Sequence, residues 1–395
     1  MADLIPVAEA RTRVLEAVGR LPAEPVTLAD ALGRVLAEDV ESAISVPPFD
    51  SSAMDGYALI AGPAGELEVI AEARAGHPAQ MAVRSGTAIA ISTGAAVPEG
   101  ATAVVPVERT EAAGAAVRVP DTEPGANIRR AGEDIAAGET VLRAGEALEP
   151  AGLGVAASVG RDSLSCARRP RMALLVTGDE LTDPGEPLAP GGIYSSNSYA
   201  LAGQVERAGA TLAMRERVAD TAEATRAALD AALDEADVVV VSGGVSVGPH
   251  DHVKGALAEL GVKQHFWGVS LRPGKPVWFG TLGDKLVFGL PGNPVSAMVT
   301  FQLFVRPALA ALQGADPSIS RTAARLDQAV ARNPRREQAV RVRLAAGHDG
   351  WRVSPTKGAQ GSHVLTSMLG ANALALIAPG EGEASAGELV EVELL

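Results

Sequence analysis

Strand followed by helix, repeated across residues 170–313, is the pattern that most constrains this chain. Arg171-Met-Ala-Leu-Leu-Val-Thr177 reads as a strand ending at Gly178, and residues 198–208 read as a helix stopped by Gly209. Asp220-Thr-Ala-Glu223 has capping-box character, with Asp in place of the usual Ser or Thr, and opens a helix to about Glu235. Val238-Val-Val-Val-Ser242 and Leu286-Val-Phe-Gly-Leu290 are short apolar runs bounded by glycine, the signature of buried parallel strands. This alternation predicts a doubly wound α/β domain with ligands at the carboxyl edge of its sheet. Both runs end in glycine-rich turns, Gly243-Gly-Val-Ser-Val-Gly248 and Pro291-Gly-Asn-Pro-Val-Ser296, and Leu271-Arg-Pro-Gly-Lys-Pro276 lies between them. Glycine just past a strand lets main-chain N–H groups approach a ligand that a Cβ would exclude. The second turn feeds an amphipathic stretch over about 295–312, whose N-terminus would also face an anion. A phosphate-sized or oxyanion ligand is the first expectation; tight strand-to-helix packing without a ligand is the alternative.

The flanking regions have other periods. Val7, Ala10, Val14, Val18 and Leu21 predict a helix over 7–21, ended by Pro22 and Pro25. From about 43 to 140 short alternating runs, punctuated by Gly and Pro, predict a small β-rich domain. After Gln313-Gly-Ala-Asp-Pro317, which reads as a linker, strands return. Ala339–Leu344 and Trp351–Ser354 form a hairpin-like pair with a turn longer than two residues, and 388–394 is a last strand. The expected fold class is α/β plus β, multidomain. Its units are 1–42 with 140–169, a β-rich 43–139, the doubly wound 170–313, and a barrel-like β domain over 316–395.

A chain of 395 residues exceeds one core and should hold two to four domains. An aromatic share of 3% predicts aliphatic cores. No apolar run is expected to reach the roughly 18–20 residues that span a bilayer. Met1-Ala-Asp-Leu-Ile-Pro6 lacks the pattern of a secretory signal, and Cys166 is alone, which excludes an intrachain disulfide and a Cys-rich zinc site. A cytoplasmic protein is expected. The formal charge of −14, from 48 acids against 34 Lys plus Arg, works against a nucleic-acid groove and makes local cations informative. Lys275, stiffened by Pro273 and Pro276, is one of only five lysines and stands out as a candidate ligand.

Several clusters carry chemistry. Pro47-Pro-Phe-Asp-Ser-Ser-Ala-Met-Asp-Gly-Tyr57, Ile91-Ser-Thr-Gly94 and Arg129-Arg-Ala-Gly-Glu-Asp134 each read in isolation as a turn or solvated loop. Thr177-Gly-Asp-Glu-Leu181 leaves its strand with two carboxylates, and Asp251 follows Gly248 by three residues. Hard oxygen ligands beside an anion loop suit Mg²⁺. His250 and His252 could face one side of a strand, but no third ligand for a transition metal is evident. Nucleophile-elbow, P-loop and dinucleotide glycine motifs are absent.

Taken in order, these segments resemble the molybdopterin molybdenumtransferase family, which includes the E domain of gephyrin. The matching stretches are Ala31–Asp39, Pro47–Leu59, Thr93–Pro98, Gly132–Asp134, Thr177–Leu181, Ser242–Gly248, Arg272–Pro276, Gly289–Ser296, Gln360–Ser362 and Ala371-Asn372. The resemblance implies a transferase that inserts molybdate into adenylylated molybdopterin and releases AMP with Mg²⁺ present. It implies Asp55, Thr93, Asp134, Glu180 and Asp251 as catalytic positions, with Asp251 on the metal. Gly178, Ser242, Gly243, Gly244, Ser246, Arg272, Lys275, Pro291, Gly292, Asn293, Ser296 and Ser362 would bind substrate. It also implies a homodimer whose β-rich domain faces the partner's α/β domain, and a first helix packed on the α/β domain. The adenylyltransferase and downstream molybdoenzymes would be partners, with no nucleic acid and no membrane. Pro249 stands where many relatives carry an acid, Gly268 lies where many carry a base nearby, and Arg272 replaces Lys. The rival readings are a non-catalytic scaffold of the gephyrin kind, and the adenylyltransferase, which would not need residues 43–140.

Overall fold

The computed structural model describes residues 4–245, 252–318 and 320–395. The alternating segment forms a six-stranded sheet in the order Thr211–Val218, Arg171–Thr177, Val238–Ser242, Lys285–Leu290, Trp278–Leu282, Lys263–Trp267. The first four strands are parallel; the last two add an antiparallel edge. The pleat turns successive side chains to opposite faces, so each apolar run serves two cores. Met172, Leu174, Val238, Val240, Leu286 and Phe288 enter one, and Ala173, Leu175, Val239, Val241 and Val287 the other. Ser196–Arg207 and Pro294–Leu312 cover the first face, Ala222–Glu235 and Val253–Glu259 the second. The cap of Ala222–Glu235 is Thr221, whose Oγ1 accepts from Ala224 N–H at 3.2 Å, one residue later than the sequence pattern placed it.

Two composition-based expectations fail on this domain for one reason, the thickness of its first core. Phe266, Phe279, Phe288, Phe301 and Phe304 all lie there, with ring centroids 4.9 Å apart for Phe279–Phe288 and 5.7 Å for Phe266–Phe279. A low average aromatic content therefore coexists with an aromatic core. Pro294–Leu312 is a 19-residue helix of mean hydropathy 1.5, long and apolar enough to cross a bilayer, contrary to expectation. In the fold 78% of that stretch is buried inside the protein. It is apolar all round because the sheet lies on one side and other elements on the other.

One of those elements is the first helix, Val7–Glu16, whose Val7, Ala10 and Val14 join the same core. It is shorter than the predicted 7–21. Residues 17–21 leave the helix near Gly19, yet Val18 and Leu21 still pack on the core, and Leu21 N–H donates to Leu312 O at 2.8 Å. Apolar spacing persisted past the helix end because both conformations point those side chains inward.

Residues 321–394 supply the other. Glu337–Gly347, Gly350–Pro355, Arg321–Leu326, Leu389–Leu394 and Ala373–Ile377 pair in turn, and the last pairs back with the first, closing a barrel. Gly347 pairs with Gly350, so the hairpin turn is only His348-Asp349, tighter than the sequence suggested. Buried Glu393 accepts from Arg11 at 2.8 Å, Arg306 at 3.1 Å and Arg321 at 3.3 Å, tying barrel, first helix and Pro294–Leu312 together.

Residues 43–139 hold a separate six-stranded sheet, ordered Ala103–Pro106, Gly56–Leu59, Thr87–Ile91, Gly65–Ala73, Ala116–Val119, Glu111–Ala113, with an apolar cluster on each face. The glycine of Met54-Asp-Gly-Tyr57 opens a strand rather than merely turning the chain. A Cβ on Gly56 would sit 1.9 Å from Val105 O. Ala23–Thr27 with Ser163–Ala167, and Val40–Glu41 with Thr140–Leu142, form the link to this sheet.

At the amino ends of the central strands, Arg168 grips Asp237 through two bonds of 2.9 and 2.8 Å, and Arg171 N–H adds a third at 2.8 Å. Burial pushes the Asp237 carboxyl up, but these donors outweigh it and hold it below the usual carboxylate value. A depressed folded-state pKa stabilises fully above the unfolded value and is lost as pH falls through the folded one. The melting-temperature gap between wild type and Asp237→Asn should therefore be level from pH 7 to about 4 and shrink below that. A gap independent of pH down to 3 would contradict the assignment.

Candidate functional site

The carboxyl edge of the α/β sheet brings three strand ends into contact. Gly243, at φ 98°, packs against the end of Arg171–Thr177 so closely that a Cβ would lie 2.8 Å from both Thr177 O and Thr177 Oγ1. Gly244 follows at φ 61°. Gly243 N–H donates to Leu290 O at 3.1 Å, which draws in the Pro291–Gly292 turn. Ser242 Oγ donates to Pro291 O at 3.3 Å and accepts from Asn197 Nδ2 at 2.9 Å, while the same nitrogen donates to Gly292 O at 2.8 Å. Asn197 thus cross-links the two glycine turns from the first turn of Ser196–Arg207. The Glu180 carboxylate folds back over the main chain at Gly178, and Asp179 Oδ1 accepts from Asp220 N–H at 3.0 Å.

Beside this edge lies a cavity of about 360 Å³ lined by Arg272, Lys275, Asn293, Ser296, Ser362 and, from the barrel, Arg336, with Gln360 and His363. Two contacts build it. Leu271–Arg272 adds to the barrel sheet, parallel to Glu337-Gln338. Ser362 O accepts from Val295 N–H at 3.1 Å, just inside the helix that Asn293 caps and Pro294 begins. That N–H is therefore committed to the barrel rather than left for an anion. Among the described residues no acid lines this cavity. Arg272, Lys275 and Arg336 have no ion-pair partner among the described residues, nor has Arg341, which lines an adjoining cavity and is 1% exposed. Burial lowers the Arg341 pKa to about 10, leaving it cationic at neutral pH. Four uncompensated cations in a chain of net charge −14 make a local anion field.

The structure gathers Arg272, Lys275, Asn293, Ser296 and Ser362 in one cavity, and Gly178, Glu180, Ser242, Gly243, Gly244, Pro291 and Gly292 along the adjoining sheet edge. Ser246 and Asp251 lie outside the described residues, as do Pro249 and His250. Asp55, Thr93 and Asp134 are elsewhere. Asp55 Oδ1 accepts from Thr93 N–H at 2.7 Å and from Thr93 Oγ1 at 3.1 Å, and Asp134 N–H donates to Val46 O at 3.1 Å, all within residues 43–139. Among the described residues, no hydrogen bond or ion pair joins 43–139 to 170–313 of the same chain.

Sequence reasoning missed Asn197, Arg336, Arg341 and His363. A polar cluster at a helix start, Ser195-Ser-Asn-Ser198, was a usable signal for the first. Arg336 precedes a strand and Arg341 lies within it, where a solvated side chain is the ordinary expectation.

Three family models match in succession. They are the MoeA N-terminal region (domain I and II) over residues 5–160, the "Probable molybdopterin binding domain" over 173–311, and the MoeA C-terminal region (domain IV) over 323–395. A molybdopterin molybdenumtransferase of Haemophilus influenzae is 36% identical over 405 aligned residues, covering 99% of this chain and 98% of its own. Molybdopterin molybdenumtransferase 2 of Mycobacterium tuberculosis is 38% identical, covering 93% and 94%. Among solved structures, a molybdopterin biosynthesis MoeA protein from Pyrococcus horikoshii OT3 superposes with a TM-score of 0.84 at 31% identity, covering 100% of both chains.

Proposed function

This chain belongs to the molybdopterin molybdenumtransferase family, and from that membership we propose that it inserts molybdate into adenylylated molybdopterin with release of AMP. The observation that carries the reading is the cavity in which Arg272 and Lys275 of the α/β domain meet Arg336 and Ser362 of the barrel, with no acid among the described residues that line it. Molybdate is a tetrahedral dianion. Charge-assisted hydrogen bonds to such an ion contribute roughly 1.5–3 kcal/mol each, so a few suffice for selective capture. The adenylate lies along the neighbouring edge, where Gly243 and Gly292 let the two turns pack against each other and Asn197 holds them at a fixed spacing.

The donor set at that edge fits a hard cation. Glu180 and Asp179 offer carboxylate oxygens, and Mg²⁺ takes one or two such groups while keeping water and phosphate oxygens as its other ligands. With Asp251 these residues would hold Mg²⁺, which supplies charge neutralisation at the adenylyl phosphate. The chain's own contribution is positioning: Lys275 and Arg272 hold the oxyanion beside the phosphoanhydride, where a water oxygen bonds to the pterin-side phosphorus as the bridging P–O bond breaks and AMP departs with the bridging oxygen.

The proposal includes a homodimer. Among the described residues Asp55, Thr93 and Asp134 make no bond to the α/β domain of their own chain, and Phe49 and Met54, on the segment leading to Asp55, are 47% and 39% exposed. A second copy would bring those residues to the cavity and cover that apolar surface. The same reading places the enzyme in the cytoplasm, between the adenylyltransferase that makes its substrate and the molybdoenzymes that receive its product.

Incubation with adenylylated molybdopterin, Mg²⁺ and molybdate should release AMP and yield metal-loaded pterin. Pterin binding without AMP release would leave the scaffold reading instead. At limiting molybdate, mixing Asp55→Asn copies with Lys275→Ala copies should restore part of the activity each variant has lost, because one of the two sites in a mixed dimer is intact. Activity no greater than either variant alone would reject the shared site.

A further inference from the structure

We propose that Trp267 is a positioning residue, whose indole sets the distance between the glycine turn beside the adenylate and the corner that takes the oxyanion. The inference rests on the reaction proposed above and deepens it. Trp267 ends the edge strand Lys263–Trp267. That strand is antiparallel to Trp278–Leu282, which is itself antiparallel to Lys285–Leu290. It therefore runs with the parallel strands and delivers Trp267 to the carboxyl edge of the sheet.

Three segments meet at this half-buried side chain. Its Nε1–H donates to Val245 O at 2.8 Å, at the end of the Ser242-Gly-Gly-Val245 turn. The Val245 side chain is 2% exposed and packs so tightly on Gly289 that a Cβ there would lie 2.4 Å from Val245 Cγ1. The turn is thus anchored by a side chain in the core and by a carbonyl on the indole. From the second segment, the helix Val253–Glu259, Lys254 places its Nζ over the indole ring, 4.9 Å from the centroid. The third segment is Trp267's own. Gly268 N–H donates to Val277 O at 2.8 Å and Val269 N–H to Lys275 O at 2.9 Å, so the two residues after the indole hold the Arg272–Pro276 corner.

Asn197 spaces the two glycine turns from each other, and Trp267 spaces the first of them from the cradle. The second spacing matters because the reacting parts are held on different segments. The adenylyl phosphate sits on the glycine side and the oxyanion on the Lys275 side, so the rate depends on how far apart the two are held. A misplacement of about 1 Å can cost about a hundredfold in rate while each half still binds its ligand. The same bond commits the Val245 carbonyl oxygen, a partial negative charge at the rim of an anion site, to a donor instead of leaving it to face phosphate oxygens.

Three variants test this. Trp267→Phe removes the N–H donor and keeps an aromatic face for Lys254, whereas Trp267→Leu removes both. Trp278→Phe is the control: Trp278 Nε1–H donates to Gln264 Oε1 at 2.8 Å, a bond between the two edge strands and not to either turn. The kcat for AMP release, the melting temperature, and the Kd of AMP alone and of molybdate alone would be measured for each. In Trp267→Phe kcat should fall about fivefold, and in Trp267→Leu further, with both Kd values unchanged. Trp278→Phe should lower the melting temperature and leave kcat at the wild-type value. Wild-type kcat in both Trp267 variants would overturn the spacing role while leaving the reaction standing. So would a loss of AMP or molybdate affinity that accounts for the lost rate, or an equal fall in kcat in Trp278→Phe, since either marks general loosening. Absence of AMP release by the wild type would instead remove the reaction itself, and the spacing role with it.

Discussion

Lys275→Ala should lower molybdate-dependent AMP release at limiting molybdate by about tenfold or more, the loss of one charged contact at ~1.4 kcal/mol per decade. The loop around it is held without its side chain: Lys275 O accepts from Val269 N–H at 2.9 Å and from Val277 N–H at 3.0 Å. The ammonium has no ion-pair partner among the described residues, so its removal unpairs no acid. The melting temperature should stay within a degree or two of wild type, and raised molybdate should recover most of the rate. Lys275→Arg, which keeps the charge but changes its geometry, should fall between the two. Wild-type AMP release by Lys275→Ala at limiting molybdate would dismiss the cradle.

Glu393→Ala should act in the opposite order, on stability first and on activity as a consequence. The carboxylate is 1% exposed and surrounded by Arg11, Arg306 and Arg321 from three different parts of the chain. Removing it leaves three guanidiniums converging on a void. Breaking a buried ion pair from one side costs about 3–5 kcal/mol. The barrel contributes Arg336 and Ser362 to the cradle, whereas Arg272, Lys275 and Ser296 belong to the α/β domain. A loosened barrel should therefore raise the molybdate concentration needed for half-maximal AMP release, together with a large drop in melting temperature. An unchanged melting temperature would show that the cluster does not secure the barrel. The pair of variants separates the residue that binds the anion from the residue that holds two walls of its pocket together.

Much of the α/β domain was legible because its signals are local. A β-branched run such as Val238–Ser242 can hardly be anything but a strand buried on both faces, and a glycine after it marks a close approach of main chain. Boundaries were less legible. The first helix stops at Glu16 although apolar spacing runs on to Leu21, since spacing records which side chains face a core and not the conformation that carries them there. The hairpin at His348-Asp349 and the Thr221 cap shifted by a residue or two for a similar reason, because hydrogen bonds, not residue types, set where an element ends.

The candidate site divides along the same line. Sequence by itself determined the chemical inventory: glycine turns at strand ends, an Arg-Pro-Gly-Lys-Pro corner, and acids following Gly178, each a property of neighbouring residues. Only the tertiary structure decided that Arg272 and Lys275 share a cavity with Arg336 and Ser362, that Asn197 ties the glycine turns, and that Asp55, Thr93 and Asp134 stand apart on another domain. The reason is physical. Local patterns arise from interactions a few residues apart, whereas a pocket between domains depends on burial and ion pairs such as those at Glu393, whose partners lie 72 to 382 residues away along the chain.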